Sequence, residues 1–416
     1  MMEEIAKYTL VVFAALIIGI LHRNQSAQAG EPRVYWLALA LIAVGGPVAY
    51  QYSTNWATSI NYLAVSLVVS DILARSRRPE QTSRQATLVL ALMATLYAWM
   101  LAATLRADGS TPVHALTLPL FAFAAILHPP KPEVGRRTLA LFITIAVTGS
   151  LLAGYSSTIS AIAHPRELIL GKDRLGGLWG SPHTVVFASV ILAALVFRLQ
   201  MKPLWRGICL AISTIAFIVG GSRGAQLPAL VAISVTALAT RKKFPFGRRC
   251  ALAIGGIAAS VSFAWLLFNT ATTYNPRSLT GRSTAWPIIW TRAKDSLPWG
   301  AGLNAMRGIT GLDGVSRAFN SPHNGFIALL LYGGIPAAVI GIFILTTAPI
   351  SLARRAESWL VFLAIYIPLS LMTETRFSFE GLGLVEAVLI LLAVHLSDAS
   401  QKPALSDRHA SLSRSG

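Results

Sequence analysis

Arg223 lies in Gly220-Gly221-Ser222-Arg223-Gly224-Ala225, a short polar turn between two apolar runs, with no acidic residue nearby in sequence. A guanidinium holds phosphate oxygens through a planar fork that is charged at every physiological pH. Glycines on either side let the backbone approach a ligand closely. A helix starting at this turn would add free N–H groups and a positive dipole end. The turn therefore suits an anion cradle, against the alternative of an arginine snorkelling from a helix end. Arg282 stands in Leu279-Thr280-Gly281-Arg282-Ser283-Thr284-Ala285-Trp286, which reads as a helix start with Thr or Ser as N-cap. Arg174, Arg292 and Arg376 occupy the same class of connector, beside Arg166, Lys172, Arg277, Lys294, Arg307 and Arg317. Any one of these cations is explained by a solvated loop; together they suit a phosphate or diphosphate held at a boundary.

His323 is the candidate base. It lies in Asn320-Ser321-Pro322-His323-Asn324-Gly325-Phe326, after a proline and directly before an apolar run. A neutral imidazole accepts a hydroxyl proton near neutral pH, although a capping histidine would fit the same place. His183, in Trp179-Gly180-Ser181-Pro182-His183, has a similar setting and is the rival. Metal motifs are missing: there is no D-x-D among the carboxylates of these connectors, no HExxH and no CxxC. Nor is there a phosphate-binding glycine loop of the nucleotide-binding kinds or a GxSxG. An enzyme built on these residues would stabilise charge with arginine, with no metal or other cofactor.

The elements that must hold these residues are membrane spans. Of 416 residues, 54% are hydrophobic and only 12% charged, with mean hydropathy +0.60. That composition excludes a soluble enzyme, a disordered chain and a basic nucleic-acid binder, whose Lys and Arg would cluster in polar regions. Thirteen apolar runs are long enough to cross a bilayer: 5–21, 34–50, 56–73, 86–105, 112–128, 138–155, 184–199, 204–220, 225–240, 250–268, 325–347, 357–373 and 381–396. Only Gln51–Asn55 separates the second from the third, so the count is twelve or thirteen. The expected fold is an all-α polytopic membrane protein, one domain over 1–396. A polar, Ser-rich cytoplasmic tail is expected over 397–416. The start of the chain is acidic rather than basic, a poor signal-peptide start, so the first helix is read as uncleaved although Ala27-Gln28-Ala29 after it resembles a processing site. Cys209 and Cys250 imply neither a disulfide framework nor a metal site.

The connectors alternate in charge. One set carries Arg75, Arg77, Arg78, Arg84, Lys131, Arg136, Arg137, Arg198, Lys202, Arg206, the 241–249 basic cluster, Arg354 and Arg355. The positive-inside rule places these in the cytoplasm. With Arg23, Arg33 and the tail, 22 of the 35 basic residues and seven carboxylates fall inside, which gives +15 of the +18 net charge. The basicity is thus mainly orientation and attraction to anionic phospholipid. Outside lie 156–183, the 220–225 turn and the longest loop, 269–322. In that loop Trp286, Ile289, Trp290 and Ala293 follow at i, i+3, i+4 and i+7, predicting an amphipathic helix with Arg282 on its packed side. Glu386 is the one carboxylate well within a span. Transporters usually need several, so Glu386 is expected to pack against a polar neighbour.

In order along the chain stand Arg174-Leu-Gly-Gly-Leu-Trp-Gly-Ser-Pro182-His183, Gly221-Ser-Arg223-Gly-Ala and Thr280-Gly-Arg282 with Trp286. Leu297-Pro-Trp-Gly-Ala-Gly302, Pro322-His323-Asn324-Gly-Phe and Tyr332-Gly333-Gly334 follow. Over roughly 150–345 this combination resembles the bacterial O-antigen ligase and polymerase superfamily, although the family more often has Pro-Asn at Pro182-His183. The resemblance implies a GT-C glycosyltransferase in the inner membrane. It implies an undecaprenyl-diphosphate-linked glycan donor, a long periplasmic loop closing the site, and no metal. Arg223 and Arg282 would then bind the diphosphate and His323 would assist the acceptor hydroxyl. Arg174, Arg292, Arg376, Trp179 and Asn324 would contact substrate. Length and the late position of the long loop favour a ligase, transferring polysaccharide to lipid A–core, over a polymerase. A protein-directed transferase is disfavoured by the lack of a C-terminal soluble domain. An exporter or flippase of polyprenyl-linked glycans is the reading of a different class.

Overall fold

A computed structural model describes residues 33–75, 83–108, 116–154, 175–239, 251, 255, 282–306, 322, 324–353, 357–372 and 383–398. Within them the chain is helical and forms no strand. Helix α1 (Arg33–Ala40) runs through a π-helical turn, Leu41–Gly45, into α2 (Gly46–Tyr52). Then come α3 (Thr54–Arg75), α4 (Arg84–Asp108), α5 (Thr117–Leu127) and α6 (Pro132–Ala153). After a 3-10 turn, Gly177–Trp179, follow α7 (Pro182–Arg198), α8 (Pro203–Gly220) and α9 (Arg223–Ala239). Helix α10 (Arg282–Asp295) and a second 3-10 turn, Leu303–Met306, lead to α11 (Gly325–Ala353), α12 (Ser358–Leu371) and α13 (Leu384–Asp398).

Eleven of the thirteen predicted spans coincide with these helices; 5–21 and 250–268 lie outside the described residues, apart from single positions. Five helical stretches are long and apolar enough to cross a membrane: Val34–Tyr52, Arg84–Ala107, Pro132–Ala153, Pro203–Gly220 and Gly325–Thr347. Shorter apolar helices run over Thr117–Leu127, Pro182–Arg198, Gly224–Leu238, Ser358–Leu371 and Leu384–Leu396. Its eleven residues make α5 only about 16 Å long, short of a bilayer core of about 30 Å. The chain is a polytopic helical membrane protein.

Local chemistry sets the helix starts. Pro132, Pro182 and Pro203 each occupy the first turn, where the missing N–H costs nothing, and Lys131, Ser181 and Lys202 before them are extended. Helices α7, α12 and α13 are buried nearly all round and form the centre, as expected of helices apolar on every face. Helix α8 exposes Leu204, Trp205, Ile208, Ile215 and Ile218, and α9 exposes Leu227, Leu230 and Ile233. In lipid, water does not drive helices together, so small residues and close packing matter more. Gly135 shows this: a Cβ there would lie 2.5 Å from the buried Trp36 ring, whose Nε1 donates to the Lys131 carbonyl at 2.9 Å.

Two sets of ties define the two ends of the bundle. One joins Ser83 to Leu396, Trp36 to Lys131, Arg136 to Trp359 and Glu357 to His395. These are the connectors predicted to be cytoplasmic. The opposite end joins Ser150 to Leu178, Leu175 to Val219, Thr104 to Leu303 and Asn324 to Met372. It carries the described candidate residues.

Candidate functional site

The turn between α8 and α9 is held from three sides. Gly221 (φ 57°) ends α8 in the left-handed conformation. Gly220 packs on α7 so closely that a Cβ would collide with Val186 Cγ2. Gln226 Nε2 donates to the Phe217 carbonyl at 2.7 Å, bridging α9 to α8. Ser222, fully buried, precedes α9; its carbonyl accepts N–H groups from Ala225 at 3.0 Å and Gln226 at 2.8 Å. Its hydroxyl forms a hydrogen bond with His183 Nδ1 from the first turn of α7. Arg223 is therefore the first residue of α9, at a helix N-terminus anchored to two neighbouring helices. The helix start that the glycine turn suggested is there.

The second element is the start of α11. Asn324 Oδ1 accepts the N–H groups of Phe326 and Ile327, both at 3.0 Å, and Nδ2 donates to the Met372 carbonyl at 3.0 Å. Its amide thus caps α11 and ties it to the end of α12. Helix α12 also packs along α9, so the end of α12 links the strand of chain bearing Asn324 to the helix that begins with Arg223. Among the described residues, all three of these Asn324 bonds go to protein backbone. His323 itself lies outside the described residues.

The third element is α10, which packs on α11. Ile289 and Ala293 are buried at 1% exposure, as the predicted stripe requires, whereas Trp290 is 43% exposed and flanks that face. Arg282 falls in helical register with Ile289 and Ala293, at the first position of α10. Ser283 and Thr284 are therefore inside the first turn rather than ahead of it, which corrects the expected Thr or Ser cap only in part, since Thr280 lies outside the described residues. Arg292 is on the exposed side of α10.

After α10 the chain docks into a break in α11. Gly334 has φ 65° and ψ −156°, a conformation that interrupts the helix. Ile335 N–H donates to the Pro298 carbonyl at 2.9 Å, while Ala301 and Gly302 donate to Leu331 and Tyr332 carbonyls at 2.7 and 3.0 Å. Thr104 Oγ1 accepts from Leu303 N–H at 2.8 Å, and Trp99 Nε1 donates to the Gly333 carbonyl at 2.8 Å. Two motifs that look separate in sequence, 297–302 and 332–334, are one interlocked unit. Trp299 lies between Trp99, at 5.5 Å, and the Arg106 guanidinium, at 5.8 Å.

Of the remaining predicted site residues, Trp179 is buried at 4% in the core. The reason is local: Gly177 (φ 54°) lies against Ser150, and Ser150 Oγ accepts the Leu178 N–H at 3.0 Å, pinning the 3-10 turn inward. Arg174 and Arg376 lie outside the described residues. Glu386 behaves as expected: it is fully buried, accepts a hydrogen bond from Tyr97, and its Oε2 takes the Gly383 N–H at 3.0 Å, closing the N-terminus of α13 as a capping-box acid does. The contact that sequence reasoning did not find is His183–Ser222, made across 39 positions. His183 follows Pro182 and Ser222 precedes Arg223, but nothing in their spacing joins them.

Residues 208–342 match the family described as O-antigen ligase. The matched segment starts in α8, contains Arg223, Arg282 and His323, and ends in α11. No protein of curated function matches the chain. The match supports a ligase- or polymerase-type enzyme acting on lipid-linked glycan in a membrane setting.

Proposed function

With its 208–342 segment in the O-antigen ligase and polymerase superfamily, we propose that the chain is an O-antigen ligase. It would move a polysaccharide from undecaprenyl diphosphate to a sugar hydroxyl of lipid A–core, at the periplasmic face of the inner membrane. The observation that carries this reading is the Ser222–Arg223 turn, fixed at the start of α9 and linked through the end of α12 to the residue following His323. A helix N-terminus with an arginine as its first residue favours a diphosphate.

In the proposed reaction Arg223 and Arg282 hold the diphosphate, and His323 accepts the proton of the acceptor hydroxyl. That oxygen forms a bond to the anomeric carbon as the bond from this carbon to the diphosphate oxygen breaks. The electron pair leaves on the diphosphate, whose added charge the guanidiniums offset, so no general acid is needed. Attack from the face opposite the leaving group inverts the configuration. The mechanism draws on no metal.

The test is purified protein with lipid-linked glycan and rough lipopolysaccharide, without ATP or an ion gradient. A new glycosidic bond to the core is expected, with His323→Ala reducing turnover by about 10²-fold or more at unchanged membrane insertion. Chain growth without the core acceptor would identify a polymerase instead. Glycan movement without a new bond would identify a transporter.

A further inference from the structure

We propose that His183 is a positioning residue for Arg223, acting through the Ser222 hydroxyl; the inference rests on reading Arg223 as a diphosphate ligand. A serine just before a helix ordinarily turns its hydroxyl back to cap the first N–H groups. Ser222 has its hydroxyl on His183 Nδ1 instead, while its carbonyl accepts from Ala225 and Gln226. The start of α9 is thus fastened to α7 by side chains. The other ties at this turn, the Gly220 contact with Val186 and the Gln226 bond to Phe217, fix the end of α8 and the second half of the first turn of α9. The His183–Ser222 bond is the side-chain tie to a neighbouring helix made by Ser222, the residue just before Arg223. Small displacements of a binding group weaken a reaction out of proportion to their size, so the placement of this peptide governs how Arg223 meets its ligand.

The geometry also says which side chain can replace His183. Nδ1 is two bonds from Cβ, as are the amide atoms of asparagine. Glutamine places its amide one bond further, where Nε2 would be. Asparagine should therefore preserve the bond to Ser222 and glutamine should not.

The experiment uses the full chain in lipid nanodiscs, with His183→Ala, His183→Asn, His183→Gln and Ser222→Ala. We expect His183→Ala, His183→Gln and Ser222→Ala each to raise KM for the lipid-linked donor about tenfold, the worth of a buried hydrogen bond, and to leave KM for the acceptor unchanged. His183→Asn should stay within about threefold of the parent, and His183→Ala with Ser222→Ala should be no worse than either alone, since both remove one interaction. Loss of active protein with both KM values unchanged, an Asn variant as impaired as the Ala variant, or an additive double variant would each overturn the proposal. A second measurement needs no substrate: the rate at which a charged thiol reagent labels Arg223→Cys in a Cys209→Ser, Cys250→Ser background. His183→Ala should change that rate several-fold and His183→Asn should not. Equal rates refute the positioning role whether or not the protein transfers glycan, whereas wild-type protein that transfers nothing but shows the labelling pattern refutes only the ligase reading.

Discussion

At the scale of single residues, charge and hydrogen-bond shape make separable demands. Arg223→Lys keeps a positive charge at the start of α9 but loses the bidentate fork. Donor kcat/KM should fall by at least about tenfold while the protein still inserts and folds. Asn324 makes the opposite kind of demand, since among the described residues its amide serves backbone partners. Asn324→Ala should lower stability by about 1–2 kcal/mol, from the lost cap together with the lost tie to α12. Asn324→Asp retains the two acceptor bonds but turns a carboxylate towards the Met372 carbonyl, so thermal unfolding in detergent should rank Asn above Asp above Ala. These residues were legible to different degrees. The Arg223 turn could be read because glycine spacing and flanking apolar runs are local signals. Asn324 was legible as a polar residue at a helix start, but its partner at Met372 is 48 positions away, and no local pattern shows that bond. The burial of Trp179 was not legible for the same reason: it follows from Ser150, on a different helix.

At the scale of elements, the helix boundaries followed from the sequence closely because their causes are local. Proline in the first turn starts α6, α7 and α8, and a left-handed glycine ends α8. What periodicity could not show is the break in α11 at Gly334, because the helix is apolar on both sides of it and the hydrophobic run continues through. The break is satisfied by a distant segment, with the Pro298 carbonyl taking the Ile335 N–H. Gly334 and Gly300 both have positive φ, 65° and 88°, and a Cβ on Gly300 would lie 2.6 Å from the Gly333 nitrogen. A Cβ on Gly334 would collide with the Pro298 carbonyl. Gly334→Ala should therefore destabilise the protein by about 2–4 kcal/mol, combining backbone strain with overpacking. Gly207, inside α8, has nothing within 4 Å of a Cβ, so Gly207→Ala should instead be neutral or raise stability by up to about 1 kcal/mol. Unfolding temperatures of the two variants measured side by side check both signs. A Gly334→Ala protein as stable as its parent would mean the 297–302 segment does not lock into the break.

At the scale of the whole molecule, the fold keeps two ends apart, and the described basic connectors gather at one of them. The basic connectors Lys131, Arg136, Arg137, Arg198, Lys202 and Arg206 belong to one end, and the turn that starts α9 belongs to the other. The charge alternation anticipated this separation because span length and loop charge are summed properties that tolerate errors at single helices. It gave no hint that the basic end is itself fastened by a polar cluster. There Glu357, just ahead of α12, receives the Trp359 Nε1 hydrogen bond at 3.0 Å and faces His395 Nε2 of α13 at 3.4 Å. Trp359 in turn carries the Arg136 guanidinium of α6 over its ring, at 5.1 Å. Partial burial of Glu357 works to raise its pKa, but the Trp359 bond, His395 and Arg198 outweigh burial and hold it below the ordinary carboxylate value. The sign of the resulting pH dependence follows from that lowered pKa. Glu357 contributes stability that is fully present above its unfolded pKa of about 4.3 and is lost as pH falls through the lower folded value. Glu357→Gln removes the charge at every pH. The variant should unfold at a lower temperature than the parent at pH 7, and the gap should close as pH is lowered below about 4. A gap of constant size from pH 7 down to pH 3 would show that the hydrogen-bond geometry of Glu357, and not its charge, joins α6, α12 and α13 at the end of the bundle opposite the candidate site.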